Sequence, residues 1–205
     1  MLIRRQHCDR IQRGTTMLEV LITIVILAFG MLGLAGLQGK IFTAEMESYQ
    51  RAQAVVLLND MVERINANRN VAASYLPSPA TTTFGTGDTT FGTANVQPAD
   101  CSAKAVGVAR DQCEWSNALK GAAETSGAAK VGGMLGALGC ITLVQAQDAA
   151  PGVCKPGIYL VSVAWQGLNA TSSPHTSCGQ NLFGSDDRYR RAVSTRVSIG
   201  LPSCQ

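Results

Sequence analysis

The sequence predicts an α+β fold in which a long N-terminal α-helix packs on a C-terminal antiparallel β-sheet with disulfides. No proline interrupts residues 15–68, which we assign to one helix, and its second half carries apolar residues at spacings of three and four. Three later runs, residues 139–145, 157–165 and 190–200, alternate in the manner of half-buried strands. Strands that follow helices and are joined by turns indicate an antiparallel sheet covered by the helix.

The start of the helix is apolar all round. Residues 20–37 carry no charge and are about as many as a helix needs to cross a hydrocarbon core, roughly 18. A short leader, residues 1–14, precedes this run with four arginines against one aspartate, and one acid, Glu19, lies at its very start. Basic residues before the span and a neutral domain after it predict a cytoplasmic N-terminus and an exported domain.

Three interpretations of this N-terminus compete. A secretory signal would be cut after the apolar run, near the small residues at 33–36, but its apolar segment is normally 7–15 residues long. A plain membrane anchor explains the length but not Glu19, because a charge costs about 3 kcal/mol near the bilayer centre and usually marks function. In the third interpretation the leader is cut between Gly14 and Thr15. Glu19 then becomes the fifth residue of the mature chain, where it can pair with the new amino group of a neighbouring chain.

The segment from Gly14 through Thr15 to Glu19 resembles the prepilin leader of type IV pilins and pseudopilins, and residues 24–38 are similar to the PilV family of minor pilins, the type IV pilus modification proteins. The resemblance implies cleavage after Gly14 by a prepilin peptidase, N-methylation of Thr15 and a role for Glu19 in subunit docking. It also implies a pilin-like fold. The strand pattern near 157–165 and the arginine-rich final strand resemble the same family.

By this resemblance, the protein is expected to be a minor pilin held in inner-membrane lipid and then incorporated into a pilus on the cell surface, either in the filament or in a complex that primes assembly at its tip. The expected partners are the prepilin peptidase, other minor pilins, the major pilin and a secreted tip adhesin. A pseudopilin of type II secretion is the nearest alternative. A membrane-anchored periplasmic binding protein or enzyme is an alternative of another class.

The charge of the chain excludes one class of partner. Of 17 basic and 14 acidic residues, the leader holds four arginines and one aspartate, so 13 of each remain after its removal. The mature protein is therefore near neutral and offers no basic patch for nucleic acid.

The cysteines predict disulfides in an exported domain. Cys8 would be lost with the leader, and an even number of cysteines remains. These are Cys101, Cys113, Cys140, Cys154, Cys178 and Cys204. Six cysteines allow fifteen pairings, and we favour near neighbours, namely 101 with 113, 140 with 154 and 178 with 204. The resemblance to pilins supports the last pair alone.

The helix has two further features. Its second half carries an apolar stripe at Val55, Leu58, Met61 or Val62, and Ile65, which should lie on the sheet. Its first half has glycine at every third position from 30 to 39. Two explanations stand equal: these glycines allow close approach of helices or extension of a soft segment, or they reflect the general tolerance of membrane helices for glycine.

The remaining segments give weaker signals. A motif at 82–86 is repeated at 89–93, which fits either a hairpin or a loop. Asp111 and Glu114 resemble a capping box that opens a short helix at about 112–122 with Trp115 on its apolar face, and residues 121–139 are expected to form a loop.

No chemistry of an enzyme is evident in the sequence. His175 has no second histidine after processing and is expected on an exposed loop, and Asp186 and Asp187 are too few for calcium and are expected in a solvated turn. Ion pairs between these aspartates and Arg188, Arg190 and Arg191 are expected to be exposed and weak. Because no nucleotide-binding or hydrolase motif appears, we expect no catalytic residue, no metal and no cofactor.

Overall fold

The computed structural model describes residues 14, 16–76, 90–92, 97–98, 100–121, 125–126, 129–130, 134, 136–184 and 186–201. Contacts divide the chain into two compact units, residues 1–45 and 46–205.

The first unit is helical from Met17 onward. Helix α1 extends over Met17–Ala67 without a break, so the predicted helix over 15–68 is confirmed to within two residues at each end. Every residue from 17 to 42 is exposed. Among the described residues, α1 is the one helix that is long and apolar enough to cross a membrane, and none of its apolar window is buried.

The second unit is built on an antiparallel sheet. Its strands are β1 (Thr90–Gly92), β4 (Leu138–Gln145), β5 (Gly157–Gln166) and β6 (Arg190–Ile199), in the order β1-β4-β5-β6. The three predicted strands are confirmed with shifts of one residue at their ends. Strand β1 comes from the second copy of the duplicated motif and pairs with residues 138–140 of β4. The first copy lies outside the described residues.

Two very short strands, β2 (Thr125–Ser126) and β3 (Ala129–Lys130), pair with each other in the region expected to be a loop. The expectation of a loop over 121–139 is therefore wrong at these residues, and also at 138, where β4 begins.

The second half of α1 contributes one apolar face to the core. Its buried residues recur at spacings of four and three, and they are Gln50, Ala54, Leu58, Met61 and Ile65. The four apolar residues of this set join Val161, Val163 and Trp165 of β5 in one cluster, so the helix packs on the sheet as predicted. The predicted stripe was wrong at Val55, whose exposed fraction is 41%. The smaller Ala54, fully buried, takes the place that faces the sheet.

Helix α2, Val108–Leu119, begins four residues before the predicted start. The predicted capping box is wrong, because Gly107 occupies the N-cap position and no side chain caps this end. Asp111 and Glu114 instead lie inside α2 and bind Arg64 of α1 at 3.0 Å and 2.7 Å. Trp115 is fully buried, as its predicted position on the apolar face requires.

The face of the sheet that does not pack on α1, called the second face below, is covered at one end. This is contrary to the expectation that it faces solvent. Leu138, Cys140 and Ala164 point to that face and form a cluster with Cys178 and Phe183. Residues on the segment after β5 thus bury Ala164 completely. The alternation within β5 predicted a solvated second face because serine and alanine occupy its positions there. These positions are buried, and Ser162 has an exposed fraction of 2%.

The covered second face explains one of the disulfides, which differs from the predicted pairing. Cys101 is bonded to Cys113, which confirms the first predicted pair. Cys140 is bonded to Cys178, so the predicted pairs 140 with 154 and 178 with 204 are wrong. Cys140 stands opposite Ser162 in the sheet register, and the Cys178 sulfur lies 3.9 Å from the carbonyl oxygen of Ser162. Cys154 is also disulfide-bonded.

Candidate functional site

The N-terminal end of α1 carries the predicted processing and docking residues. The hydroxyl of Thr16 accepts a hydrogen bond from the backbone N–H of Glu19 at 3.3 Å. Such a bond from a threonine to the third residue after it is the usual N-cap contact of a helix. Thr16 therefore fixes where the helix begins, and Gly14, which is exposed, precedes this cap.

Glu19 lies in the first turn of α1 with its side chain exposed. Within the part of the chain that the structure describes, its carboxylate makes no hydrogen bond or ion pair. An acid in the first turn is favoured by the partial positive charge of the helix N-terminus. The carboxylate is thus held close to the start of the helix and remains available to a cation from another molecule.

The predicted leader and methylation position fall mostly outside the described residues. Residues 1–13 and Thr15 are among those not described, and Gly14 is described in extended or irregular backbone before the helix. The roles of Gly14, Thr15 and Glu19 in cleavage, methylation and docking stay predictions.

The glycines at 30, 33, 36 and 39 all lie inside the unbroken helix α1. A methyl group added at any of them would meet no other atom within 4 Å. They therefore form a part of the helix surface onto which another backbone can approach closely.

A polar network fastens α2 to α1 in the second unit. Arg64 forms ion pairs with Asp60, Asp111 and Glu114 at 2.7–3.0 Å. The hydroxyl of Tyr75 donates to the carboxylate of Asp111, and burial together with this bond raises the pKa of Tyr75 well above its usual value of 10.0. Such a network is structural, because its members bind one another and leave no open site.

The segment before β6 is organised by a buried arginine. Arg190 has an exposed fraction of 1%, and its guanidinium donates to the carbonyl oxygens of Pro174, Thr176 and Cys178. Its Nε lies 3.2 Å from the carboxylate of Asp187, close enough for an ion pair though without hydrogen-bond geometry. The expectation of an exposed turn is wrong for Asp187 and Arg190, because the covered second face of the sheet buries them.

The predicted exposure of His175 and Asp186 and the predicted exposed ion pair at Arg188 are confirmed. His175 and Asp186 are exposed, and Arg188 forms a long, exposed ion pair of 3.9 Å with Asp186. Among the described residues no group of three or more histidine, cysteine or acidic side chains is placed to hold a metal ion.

Sequence reasoning missed a contact between α1 and the end of the sheet. Glu47 binds Arg191 at 3.2 Å, although 144 residues separate them. Gly167 allows this contact, because a Cβ there would lie 2.8 Å from the Arg191 guanidinium carbon. The arginine-rich last strand was visible in the sequence, but nothing in the sequence paired it with Glu47.

Two family models match adjacent parts of the chain. The prokaryotic N-terminal methylation motif matches residues 9–35, which include Gly14, Thr15 and Glu19. The model described as type IV pilin Tt1218 matches residues 36–114, from the glycine-rich part of α1 into α2. Over residues 36–114 the chain is therefore similar to a type IV pilin, and the N-terminal methylation motif directly precedes this segment.

The pilin match agrees with the fold, in which a long N-terminal helix packs on an antiparallel sheet with two described disulfides. Type IV pilins are structural proteins, which agrees with the expectation that the chain is not an enzyme. The match does not single out the PilV family, which stays a prediction. No curated protein and no solved structure matches this chain.

Proposed function

We propose that the chain is a minor pilin of a type IV pilus, made as an inner-membrane precursor and incorporated into the filament or into its tip and priming complex. The observation that carries this proposal is the order of the two matches: a methylation motif over 9–35 directly followed by a pilin domain over 36–114. Helix α1, Met17–Ala67, spans the junction between the two matched regions.

Processing would set up assembly. The basic leader holds the precursor with its N-terminus in the cytoplasm. A prepilin peptidase cleaves after Gly14, and Thr15 is then methylated on its new amino group. Thr16 caps the helix, and the methylated residue would precede this cap by one position in the sequence.

Docking would use Glu19. Its exposed carboxylate has no partner within the described residues, and it lies at the membrane end of an apolar helix. An unpaired charge near the bilayer centre costs on the order of 3 kcal/mol, less near the edge. Pairing with the amino group of Thr15 on an adjacent subunit removes that cost as helices pack side by side.

The disulfides support an exported domain. Cys101–Cys113 and Cys140–Cys178 both lie in the second unit, and such bonds persist in oxidising compartments such as the periplasm. The domain would thus fold outside the inner membrane before the subunit enters the filament.

The test measures the intact mass of the protein in membranes and in pili sheared from cells, with and without reduction. The expected mass lacks residues 1–14 and carries one added methyl group. A protein with residues 1–14 attached in pili, or a chain cut near residue 35, would contradict the proposal. Recovery in type II secretion fibres instead of pili would indicate a pseudopilin.

A matched pair of variants tests docking. Glu19→Gln keeps the shape of the side chain and removes its charge, so we expect normal cleavage but loss from pili. Glu45→Gln is the control, because Glu45 is another exposed acid of α1 without a partner among the described residues. Entry of Glu19→Gln into pili at the level of the control would refute the docking role.

A further inference from the structure

A polar cleft of about 270 Å³ lies where α1 meets the end of the sheet in the second unit. Its lining residues come from three elements, α1, β5 and β6, and they are Glu47, Ser48, Arg51, Trp165 and Arg191. Two guanidinium groups and one carboxylate leave the cleft with a net positive charge.

The carboxylate of Glu47 is already bound from within the chain. Its Oε1 accepts hydrogen bonds from the backbone N–H groups of Leu168 and Asn169 at 3.2 Å and 3.1 Å, and from Arg191 at 3.2 Å. Glu47 therefore fixes Arg191 and the loop after β5. These contacts also show that this cleft accommodates a carboxylate.

Other donors of the cleft are not used. Arg51 is exposed and makes no hydrogen bond or ion pair with the described residues. Trp165 is 97% buried, since its exposed fraction is 3%. Its indole N–H makes no hydrogen bond within the described part of the chain. This N–H is also not one of the fully buried polar atoms without a partner, so it keeps some contact with solvent. A buried donor that still reaches solvent is available to a ligand in the cleft.

We propose that the cleft binds a carboxylate, and that this carboxylate is an aspartate or glutamate side chain of an adjacent pilin subunit. A planar guanidinium such as that of Arg51 binds carboxylates through two parallel hydrogen bonds. The indole N–H of Trp165 is purely a donor, so it favours an acceptor over a cation.

We assign the carboxylate to a neighbouring subunit because the cleft is open to solvent and positively charged. This assignment rests on the proposed function. A single unused guanidinium at a protein surface holds a free anion weakly, because water and salt screen the pair. A subunit that is already docked presents its side chain at a high effective concentration, and a weak contact then contributes to binding. The cleft would thus help to fix the position of a neighbour in the filament.

The first test probes the site itself and does not depend on filaments. Full-length protein in detergent micelles is titrated with sodium acetate, the carboxylate probe, and with sodium chloride at equal ionic strength, while indole N–H resonances are followed by NMR. We expect a saturable shift of the Trp165 signal with acetate. The Trp115 signal is an internal control, because its indole donates to the carbonyl oxygen of Leu57 at 2.8 Å.

The variant Arg51→Gln should abolish the acetate shift of Trp165. A Trp165 response that is the same for acetate and chloride, or an acetate shift that survives in Arg51→Gln, would overturn the carboxylate site.

The second test addresses the source. Arg51→Glu places a negative charge in the cleft, and we expect its amount in sheared pili to fall about tenfold, equivalent to about 1.4 kcal/mol, at unchanged leader removal. Arg69→Glu is the matched control, since Arg69 is exposed and outside the cleft. Equal incorporation of the two variants would overturn a neighbouring subunit as the source. Absence of the wild type from pili would refute the proposed function and this source together, while the acetate titration would still decide the site.

Discussion

Trp115 of α2 lies directly over Gly139 of β4. A Cβ on Gly139 would overlap the indole ring and would lie 2.7 Å from Leu119 Cδ1. The same indole donates a hydrogen bond to the carbonyl oxygen of Leu57 in α1. One side chain thus joins both helices to the sheet, and it can do so only where the strand has no side chain.

Gly139→Ala is expected to lower the free energy of unfolding by about 2 kcal/mol, because the added methyl group forces Trp115 and Leu119 out of place. Urea denaturation of the full chain in detergent, followed by tryptophan fluorescence, measures the effect. Gly200→Ala is the control, since a Cβ there meets nothing within 4 Å, and it should change stability by less than about 0.5 kcal/mol. Equal stability of the two variants would show that the contact is not as close as described.

The disulfides should differ in their contributions. By the loop-entropy estimate, a double alanine variant of Cys140 and Cys178 loses about 4 kcal/mol, since 38 residues separate them. The same change at Cys101 and Cys113, 12 residues apart, loses about 3 kcal/mol. Urea denaturation of both variants measures the order, and a larger loss at Cys101 and Cys113 would contradict it.

Peptide mapping without reduction tests the pairing directly. It should recover Cys140 linked to Cys178. It should also recover Cys154 linked to Cys204, because Cys8 leaves with the leader under the proposed function and Cys154 is disulfide-bonded. A peptide that links Cys140 to Cys154 would contradict the structure.

The long helix and the three main strands were predictable because each depends on a local pattern. A proline-free segment with apolar spacings of three and four gave α1, and alternation gave β4, β5 and β6. The spacing alone did not predict which face of α1 is buried, because stripes through Ala54 or through Val55 fit the same spacing. The position of the sheet decides between them, and that position is not a local property.

Errors arose where a residue type serves two purposes. Asp111 and Glu114 have the spacing of a helix cap, but Arg64 binds them from 47 and 50 residues away. Cys140 and Cys178 meet because the register of β4 on β5 puts Cys140 on the second face, which sequence distance does not reveal. The cleft of Glu47 and Arg191 was missed for the same reason. The methylation motif could be recognised because its signal lies in consecutive positions, and the family model over residues 9–35 agrees.

Arg190→Lys tests the buried guanidinium that organises the segment before β6. A lysine cannot reproduce the fork that binds three carbonyl oxygens, so buried acceptors lose their partners. We expect a loss of about 2–3 kcal/mol in the free energy of unfolding, measured by urea denaturation. Arg196→Lys, at an exposed position of the same strand, should be nearly neutral. A neutral Arg190→Lys would mean that the carbonyl contacts do not stabilise the fold.

Tyr75 should make the second unit sensitive to alkaline pH. Burial and the hydrogen bond to Asp111 raise its pKa in the folded state above the usual 10.0. Above about pH 10 the unfolded chain releases the phenolic proton while the folded chain keeps it, so the unfolded state binds fewer protons and stability falls as pH rises. Below that pH the contribution of Tyr75 is fully present.

Thermal unfolding of the wild type at a series of pH values from 8 to 12 should therefore show a falling midpoint above about pH 10. Tyr75→Phe should lower stability at neutral pH by about 1 kcal/mol, through the lost bond to Asp111, and should flatten the alkaline slope. A shallower slope should remain, because burial also raises the pKa of Tyr159. An unchanged slope in Tyr75→Phe would show that the phenolic proton of Tyr75 is not what couples folding to pH.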